Sequence, residues 1–451
     1  MSTDKRTAEE ICAEANELYG QKRYAEAIAL WKSVESGEAL YMLGICYNYN
    51  FGVDEPDENK RGAIAGEYFI KAATLGHADA QCFAGLCYLH GIGVEKDESK
   101  AVGWLKKSAE QNCTQAMNNL ALLCADGVGV DDADKNDEEA LSWFMKSAEL
   151  GDPTGMLYVG IGYYEGLGVK RDYEKAAEYY ALAAEKGLPE AMFRLGELYD
   201  DGEGVKRNPI EAFKYYKLAA QSNHAKAQCY VGWCYENGCG VARNMSEALK
   251  WYEISAHNNY FQAYCNLGCC YEEGRGVKHD MKTAIEMYEK GAELGSTDAI
   301  YNLGNVYAFG KGVKVNNELA VEYYRRAAES GHAEAQYNLG QHIHNGIGVE
   351  QDDEEAAFWF LQAAKRGDSD AQCKIALFYM EGIGVDEDPQ QAVEWFMKSA
   401  RQGDPEAQYA LGVCYNEGLG VERDVDEARE WYARAAEQGN SNAKKALKKL
   451  K

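Results

Sequence analysis

The chain lacks the long apolar runs that membrane insertion and secretion require. No stretch approaches the ~18 apolar residues of a membrane-spanning helix. The first residues, MSTDKRTA, lead into a polar helix-like stretch without the apolar core of a secretory signal. We therefore expect no membrane insertion and a cytoplasmic protein, although export without a cleavable signal stays open.

Basic residues are scarce relative to acidic ones. The 47 Lys and Arg residues stand against 73 Asp and Glu residues, which gives a net charge of -26. This charge opposes binding to nucleic acid and to anionic lipid, and it favours basic partners. An acidic surface also serves solubility alone. We expect no nucleic-acid partner.

The residue spacings of common catalytic, metal and phosphate sites are also missing. The eight histidines are scattered, and neither His-Glu-x-x-His nor Gly-x-Ser-x-Gly occurs. The nearest pair, His342 and His344, would face different directions because residues two apart on a helix do not share a face. We predict no metal, no cofactor, no small-molecule substrate and no enzymatic activity.

The cysteines follow repeated positions rather than paired spacings. Cys82, Cys229 and Cys265 share one position with Cys373, and a second set that includes Cys270 lies five residues later. Five residues correspond to roughly 140° around a helix, so the two sets point apart. We expect reduced cysteines that act as small buried hydrophobes.

A strict periodicity is the dominant feature of the chain. Gly-x-Gly-Val or a close variant occurs eleven times. From Gly93 to Gly420 the second glycine returns every 36 residues, except that the interval from Gly129 to Gly168 is three residues longer. Such a period is typical of a solenoid, in which each unit buries its apolar face against its neighbours. We therefore expect function on a surface rather than in a deep pocket.

Residues 187–223 illustrate one unit. Ala191, Leu195 and Leu198 have helical spacing and predict a first helix, helix A. Helix A ends at Gly-x-Gly, because glycine tolerates the left-handed backbone that caps a helix. Pro209 begins helix B, whose apolar stripe includes Tyr216. The unit is predicted to be an antiparallel helical hairpin.

Small and large residues alternate in a way that favours stacking. A glycine or alanine occupies the middle of every helix A, although glycine costs up to ~1 kcal/mol in helix propensity. Close helix packing is the expected compensation. Helix B carries an aromatic pair, such as Trp251 and Tyr252, that we expect in the core.

The pattern Ala-x-x-x-Leu-Gly-x-x-Tyr-x-x-Gly-x-Gly-Val, followed by Ala-x-x-x-Tyr-x-x-Ala-Ala-x-x-Gly, resembles the Sel1-like repeat family, a relative of tetratricopeptide repeats. The resemblance implies an all-α fold, a right-handed α-solenoid of stacked antiparallel helix pairs. It divides the chain into an N-terminal tetratricopeptide-like hairpin at 1–37, eleven repeats at 38–439 and a C-terminal capping helix at 440–451. Proteins of this family are typically non-enzymatic adaptors.

The resemblance also implies that the A helices line a concave groove. The residues two before and one after the mid-helix glycine should then face a protein or peptide partner. The predicted partner-binding residues are Tyr158, Arg194, Glu197, Tyr230, Trp233, Asn266, Asn302, Asn305 and Asn338.

Trp233 is the most specific of these predictions, because the other tryptophans lie outside the A helices. With Tyr230 on the same helix and Arg194 one repeat away, it has the composition of an interface hot spot. Asn266 and Asn302 would continue the row as amides that bind a peptide backbone. The alternatives are that Trp233 turns into the core and that the asparagines are merely solvated.

Charge along the loops after Gly-x-Gly-Val offers a second candidate surface. Central loops are basic, for example at Lys170 and Arg171, whereas 54–58, 131–139, 350–355 and 386–388 are acidic. The favoured function is a scaffold or adaptor. The alternatives are a regulatory subunit that engages a basic protein through the acidic loops, or an effector that acts in a host cell.

Overall fold

The computed structural model describes residues 6–128 and 136–450, so Gly129 and the acidic residues 131–135 lie outside the described part. The described residues form 25 α-helices. In chain order, these are α1 Ala8–Gly20, α2 Tyr24–Trp31, α3 Gly37–Asn48, α4 Glu58–Thr74, α5 Ala78–His90, α6 Glu98–Ala109, α7 Thr114–Asp126, α8 Asp137–Glu149, α9 Pro153–Glu165, α10 Tyr173–Glu185, α11 Pro189–Asp201, α12 Pro209–Gln221, α13 Ala225–Asn237, α14 Met245–His257, α15 Phe261–Glu273, α16 Met281–Glu293, α17 Thr297–Phe309, α18 Asn317–Glu329, α19 Ala333–His344, α20 Asp353–Lys365, α21 Ser369–Glu381, α22 Pro389–Arg401, α23 Pro405–Glu417, α24 Val425–Glu437 and α25 Ser441–Lys449.

The helices confirm the predicted hairpins. In the repeat that contains α11 and α12, helix A ends at Gly202, which adopts the left-handed conformation with φ of 77°. Helix B begins at Pro209, and the side chain of the preceding Asn208 accepts hydrogen bonds from the backbone N–H groups of Ile210 and Glu211. Glycine and the Asn cap satisfy the free backbone groups at the two helix ends.

The mid-helix glycines create space for an aromatic ring of helix B. A Cβ atom on Gly196 would lie 2.7 Å from the ring of Tyr216, and one on Gly304 would lie 2.6 Å from the ring of Tyr324. Both rings are almost fully buried. The predicted close packing is therefore confirmed, and the ring occupies the volume that a larger side chain on helix A would need.

Among the described residues, the second glycine of each Gly-x-Gly packs against the preceding repeat. Gly276 has a φ of 72°, and a Cβ on it would lie 2.9 Å from the Cβ of Met245 on α14. A side chain there would meet both a strained backbone and a steric contact. The motif is thus a cap and a stacking surface.

The two members of an aromatic pair differ in burial in some repeats. Tyr252 is fully buried, whereas Trp251 is only half-buried. The ammonium of Lys398 lies 3.7 Å from the centre of the ring of Trp395, so a charged side chain covers that tryptophan. The second member forms the core as expected, and the first is buried as expected at Trp359 and Trp395 but only half-buried at Trp251.

Contacts divide the chain into two compact units. The first unit comprises the residues through Ala227 together with Cys239–Val241. The second unit comprises Gln228–Gly238 and the chain from Ala242 onward. Each unit has its own clusters of buried alanine and aromatic side chains. The helices of the described residues are all too short or too polar to cross a membrane.

Candidate protein-binding surface

We define the A-helix surface as the residues two before and one after the small residue in the middle of each helix A. Nearly all of its predicted members are half-buried, so their side chains border the solvent without extending freely into it. In the first unit α7 contacts both α5 and α9, and in the second unit α15 contacts α17 and also reaches α13 through the Asn266–Cys229 hydrogen bond. The surface therefore continues from repeat to repeat within each unit.

Three asparagines of the A-helix surface, Asn266, Asn302 and Asn338, form hydrogen bonds between neighbouring repeats. The Nδ2 of Asn266 donates to the sulfur of Cys229 at 3.4 Å, and that of Asn302 donates to the sulfur of Cys265 at 3.5 Å. Asn338 donates to a tyrosine hydroxyl of the preceding helix A at 3.4 Å. These amides already have intramolecular partners through Nδ2. A peptide backbone would have to share or replace those bonds.

Buried tyrosines of helix B reach polar groups of helix A. The hydroxyl of Tyr324 donates to Oδ1 of Asn305 at 2.7 Å, and that of Tyr252 donates to Oε2 of Glu236 at 2.6 Å. Glu236 also forms an ion pair with Arg275 of the next repeat. Asn305 thus supports the core as well as the surface. The sequence analysis did not identify the Glu236 network, because it links residues of two repeats.

Trp233 is the most exposed of the predicted site residues. Its side chain is 41% exposed on α13, so the alternative that it turns into the core is wrong. Tyr230 lies one turn earlier on the same helix and is half-buried. Residues three apart share a helix face, so the two rings belong to one patch of the second unit.

Arg194 and Glu197 of the first unit belong to an ionic network on α11. Arg194 Nε lies 2.8 Å from Glu190 Oε1, and Lys226 Nζ lies 3.3 Å from Glu197 Oε1. His224 donates through Nε2 to Glu190 at 2.8 Å. The hydrogen bond from His224, together with Arg194, lowers the pKa of Glu190 to about 2. Arg194 is therefore already paired.

Tyr158 stacks on Phe144 of α8, with ring centres 4.5 Å apart and an angle of 8° between the planes. The position one after the small residue also carries an apolar row in the first unit that the sequence analysis missed. Its members are Ile45, Leu86, Leu122 and Ile161. Leu122 is 38% exposed. The register of the repeat was the signal that could have identified this row, since Trp233 occupies the same position.

The predicted residues fall into two groups. Tyr158, Arg194 and Glu197 belong to the first unit, and the other predicted residues belong to the second. The pairing of Arg194 with Trp233 stays a prediction.

The charged loops have structural roles. Arg207 Nε donates to the backbone oxygen of Asp200 at 2.7 Å, and it thereby caps the end of α11. Asp352 and Asp388 accept backbone hydrogen bonds at the starts of α20 and α22. Part of the loop charge thus serves helix capping.

The side chains of His342 and His344 contact different groups. His342 Nδ1 lies 3.1 Å from the backbone oxygen of Ile347, whereas His344 Nδ1 lies 2.6 Å from Asp353 Oδ1. Within residues 6–128 and 136–450, no three His, Cys, Asp or Glu side chains group in a way that could hold a metal ion.

Stacked antiparallel helix pairs with a continuous A-helix surface in each unit define an α-solenoid repeat protein. The model of the Sel1 repeat matches eleven consecutive segments from residue 37 to residue 440. The chain therefore belongs to the Sel1 repeat family.

Two solved structures share this fold. The chain is 34% identical to a protective antigen of uropathogenic Escherichia coli strains with an SLR fold, with a TM-score of 0.59, over 94% of this chain and 90% of the antigen. It is 32% identical to a Sel1 repeat protein from Oxalobacter formigenes, with a TM-score of 0.52, over 69% of this chain and 91% of that protein.

Curated relatives share shorter segments. DAP3-binding cell death enhancer 1 of Rattus norvegicus is 34% identical over 33% of this chain and 35% of its own length. Chitin synthase regulatory factor 3 of Schizosaccharomyces pombe is 31% identical over 35% of this chain and 17% of its own length. The chain thus spans about a third or less of the length of these relatives.

Proposed function

We propose that this chain is a non-enzymatic scaffold or adaptor that binds a protein or peptide partner along its A-helix surface. The observation that carries the proposal is the exposed Trp233 beside Tyr230 on a surface that neighbouring A helices continue. An exposed tryptophan on a structured helix is a common anchor at protein interfaces.

The names of the relatives support the same class of function. One relative is named for binding another protein, and another is named as a regulatory factor of an enzyme. Both descriptions fit a chain that acts by contact with other proteins. A regulatory role through the acidic loops has weaker support, because several of those acids cap helices.

The geometry favours a partner that adds contacts to a preformed surface. Buried tyrosine rings hold the A helices in place. The surface therefore needs little further ordering when the partner binds. Trp233 and Tyr230 would supply most of the binding energy. The half-buried asparagines of the same surface would supply polar contacts around that anchor.

The test uses two matched variants of the full chain. A partner retained by the wild-type chain from its native cell is identified by mass spectrometry, purified and titrated by calorimetry. We expect Trp233→Ala to weaken binding by about 2 kcal/mol, or roughly 30-fold. Phe358→Ala is the control, because Phe358 is an aromatic residue of helix B that is 51% exposed.

Equal affinity of the wild type and Trp233→Ala would contradict binding at this surface. A loss with Phe358→Ala alone would place the partner on the B helices instead. Thermal unfolding of both variants must match that of the wild type for the comparison to hold.

A further inference from the structure

Two apolar side chains are exposed at one loop of the second unit. Phe309, the last residue of α17, is 69% exposed, and Val315 in the loop that follows is 58% exposed. A Cβ atom on Gly310 would lie 2.9 Å from Cγ2 of Val315, so Val315 packs over the residue next to Phe309. The two side chains therefore lie at the same end of α17.

The corresponding positions of other repeats are polar. At the position of Phe309 these repeats carry Glu165, Asp201, Asn237, Glu273, Glu381 and Glu417. At the position of Val315 they include Arg171, Arg207, His279 and Arg423, and each of these side chains hydrogen-bonds to a backbone oxygen in the last turn of its helix A. Val315 cannot form that bond. Because an exposed apolar side chain replaces a helix cap here, the change does not serve the fold and indicates a contact surface.

The loop that carries these side chains is basic, although the chain is strongly acidic. Residues 309–315 contain Lys311 and Lys314 and no acid, whereas the chain has a net charge of -26. The ammonium of Lys311 lies 2.6 Å from Oε1 of Glu272 near the end of the preceding helix A, so the two loops lie side by side. Lys278 of the preceding loop occupies the same repeat position as Lys314, and both are exposed.

These two lysines are not neutralised by their neighbours. Among the residues that the structure describes, no ion pair joins Lys278 or Lys314 to an acidic side chain. Glu273 instead pairs with Arg275 at 3.0 Å. Glu318 lies in the first turn of α18, where the positive end of the helix dipole attracts a carboxylate. The ammonium groups of Lys278 and Lys314 are therefore available to an acidic partner.

We propose that Lys278, Phe309, Lys314 and Val315 form a docking surface, the loop patch, for an acidic peptide segment that carries an aliphatic or aromatic side chain. That side chain covers Phe309 and Val315, and carboxylates beside it pair with the two lysines. A basic segment would leave both lysines unpaired. The loop patch is separate from the A-helix surface and does not depend on the function proposed for that surface.

The test selects a phage library of random dodecapeptides on the native full chain, with counter-selection on Phe309→Glu/Val315→Arg. This double variant restores the residue types of other repeats and leaves the net charge unchanged, so its unfolding temperature should be no lower than that of the wild type. Counter-selection removes peptides that bind elsewhere, including those that bind at Trp233. We expect the remaining peptides to combine Asp or Glu with an aliphatic or aromatic residue.

The selected peptides are then synthesised and titrated against the variants by fluorescence anisotropy. We expect Phe309→Glu/Val315→Arg to weaken binding about 30-fold, because the apolar contact is lost. Lys278→Gln/Lys314→Gln should weaken binding about fivefold in low salt and less in high salt, since salt screens the exposed charges.

Lys170→Gln/Lys206→Gln is the matched control, because both lysines are exposed at the same repeat position in the first unit. This control should bind the peptides like the wild type, and an equal loss in both lysine variants would refute a specific site. Counter-selection that leaves no peptide, or leaves peptides without acidic residues, would overturn the proposal. A wild-type dimer in sedimentation equilibrium that Phe309→Glu/Val315→Arg abolishes would also overturn it, because a second copy would then cover the loop patch.

Discussion

The two units share one core design and differ on the A-helix surface. In both, a tyrosine ring of helix B fills the space beside a glycine of helix A, as Tyr216 does at Gly196 and Tyr324 does at Gly304. The surface of the first unit carries an aliphatic row that includes Leu122, whereas the second unit has Trp233 at the same repeat position. Packing therefore fixes some repeat positions and leaves others free to differ.

The polar chemistry of the units also differs. The first unit pairs Arg194 with Glu190 at the surface. In the second unit the side chain of Glu236 is instead buried and accepts a hydrogen bond from Tyr252. We expect the first unit to contact apolar segments of a partner and the second to provide an aromatic anchor with surrounding amides.

The largest loss of stability should come from filling the space beside the mid-helix glycine of helix A. This loss should be equal in the two units. Gly196→Val and Gly304→Val would each place a branched side chain against a buried tyrosine ring. We expect each to lower the free energy of unfolding by about 3 kcal/mol, measured by urea denaturation. Gly62→Ala on α4 is a control, because its Cβ would have ordinary contact at 3.5 Å. A clear loss in one unit alone would show that the cores are not equivalent.

Removal of the buried carboxylate of Glu236 in the second unit should cause the next largest loss of stability. Glu236 is 8% exposed and accepts from Tyr252. We expect Glu236→Ala to cost about 2 kcal/mol in the free energy of unfolding, because it leaves the buried hydroxyl of Tyr252 without its acceptor and removes one of the two carboxylates that pair with Arg275. The exposed Glu286→Ala is the control for loss of an acidic side chain. Matching unfolding midpoints for the two variants would refute this role for Glu236.

The apolar row of the first unit should matter for binding and not for folding. Leu122→Ser removes an aliphatic group that is 38% exposed, so we expect about 1 kcal/mol less binding energy for the captured partner, measured by calorimetry. Ile210→Ser is the control, since Ile210 is 68% exposed at the start of α12. If both variants bind the partner like the wild type, the partner contacts the second unit alone.

The fold could be predicted from the sequence because the same types of residue occupy the same packing positions in every repeat. The glycine at Gly196 and the ring at Tyr216 recur at fixed positions, so their contact followed from the period. Contacts between repeats could not be predicted in this way. Asn266 reaches Cys229 only because the two A helices approach closely enough, and a sequence period does not give that distance. The exposure of Trp233 was predicted as one of two alternatives.

The smallest expected effect concerns acid stability in the first unit. The pKa of Glu190 is lowered to about 2, chiefly by the hydrogen bond from His224. Its stabilising contribution is therefore complete above its ordinary pKa and is lost as the pH falls toward about 2. The side chain is 37% exposed, so solvent screening limits the contribution to less than about 1 kcal/mol.

Glu190→Gln should consequently lose less stability than the wild type between about pH 5 and pH 2.5. Urea denaturation at several pH values measures this difference. Glu178→Gln, which changes an exposed residue of α10, is the control. Identical pH profiles for Glu190→Gln and the wild type would show that the network on α11 adds nothing to acid stability.

Hydroxyl-radical footprinting of the full chain, with and without the purified partner, tests the central claim most directly. It reads the solvent exposure of Trp233 on the A-helix surface and of Phe358 on a helix B in the same sample. We predict that the partner lowers oxidation of Trp233 and leaves oxidation of Phe358 unchanged. Unchanged oxidation of Trp233 together with protection of Phe358 would contradict the account.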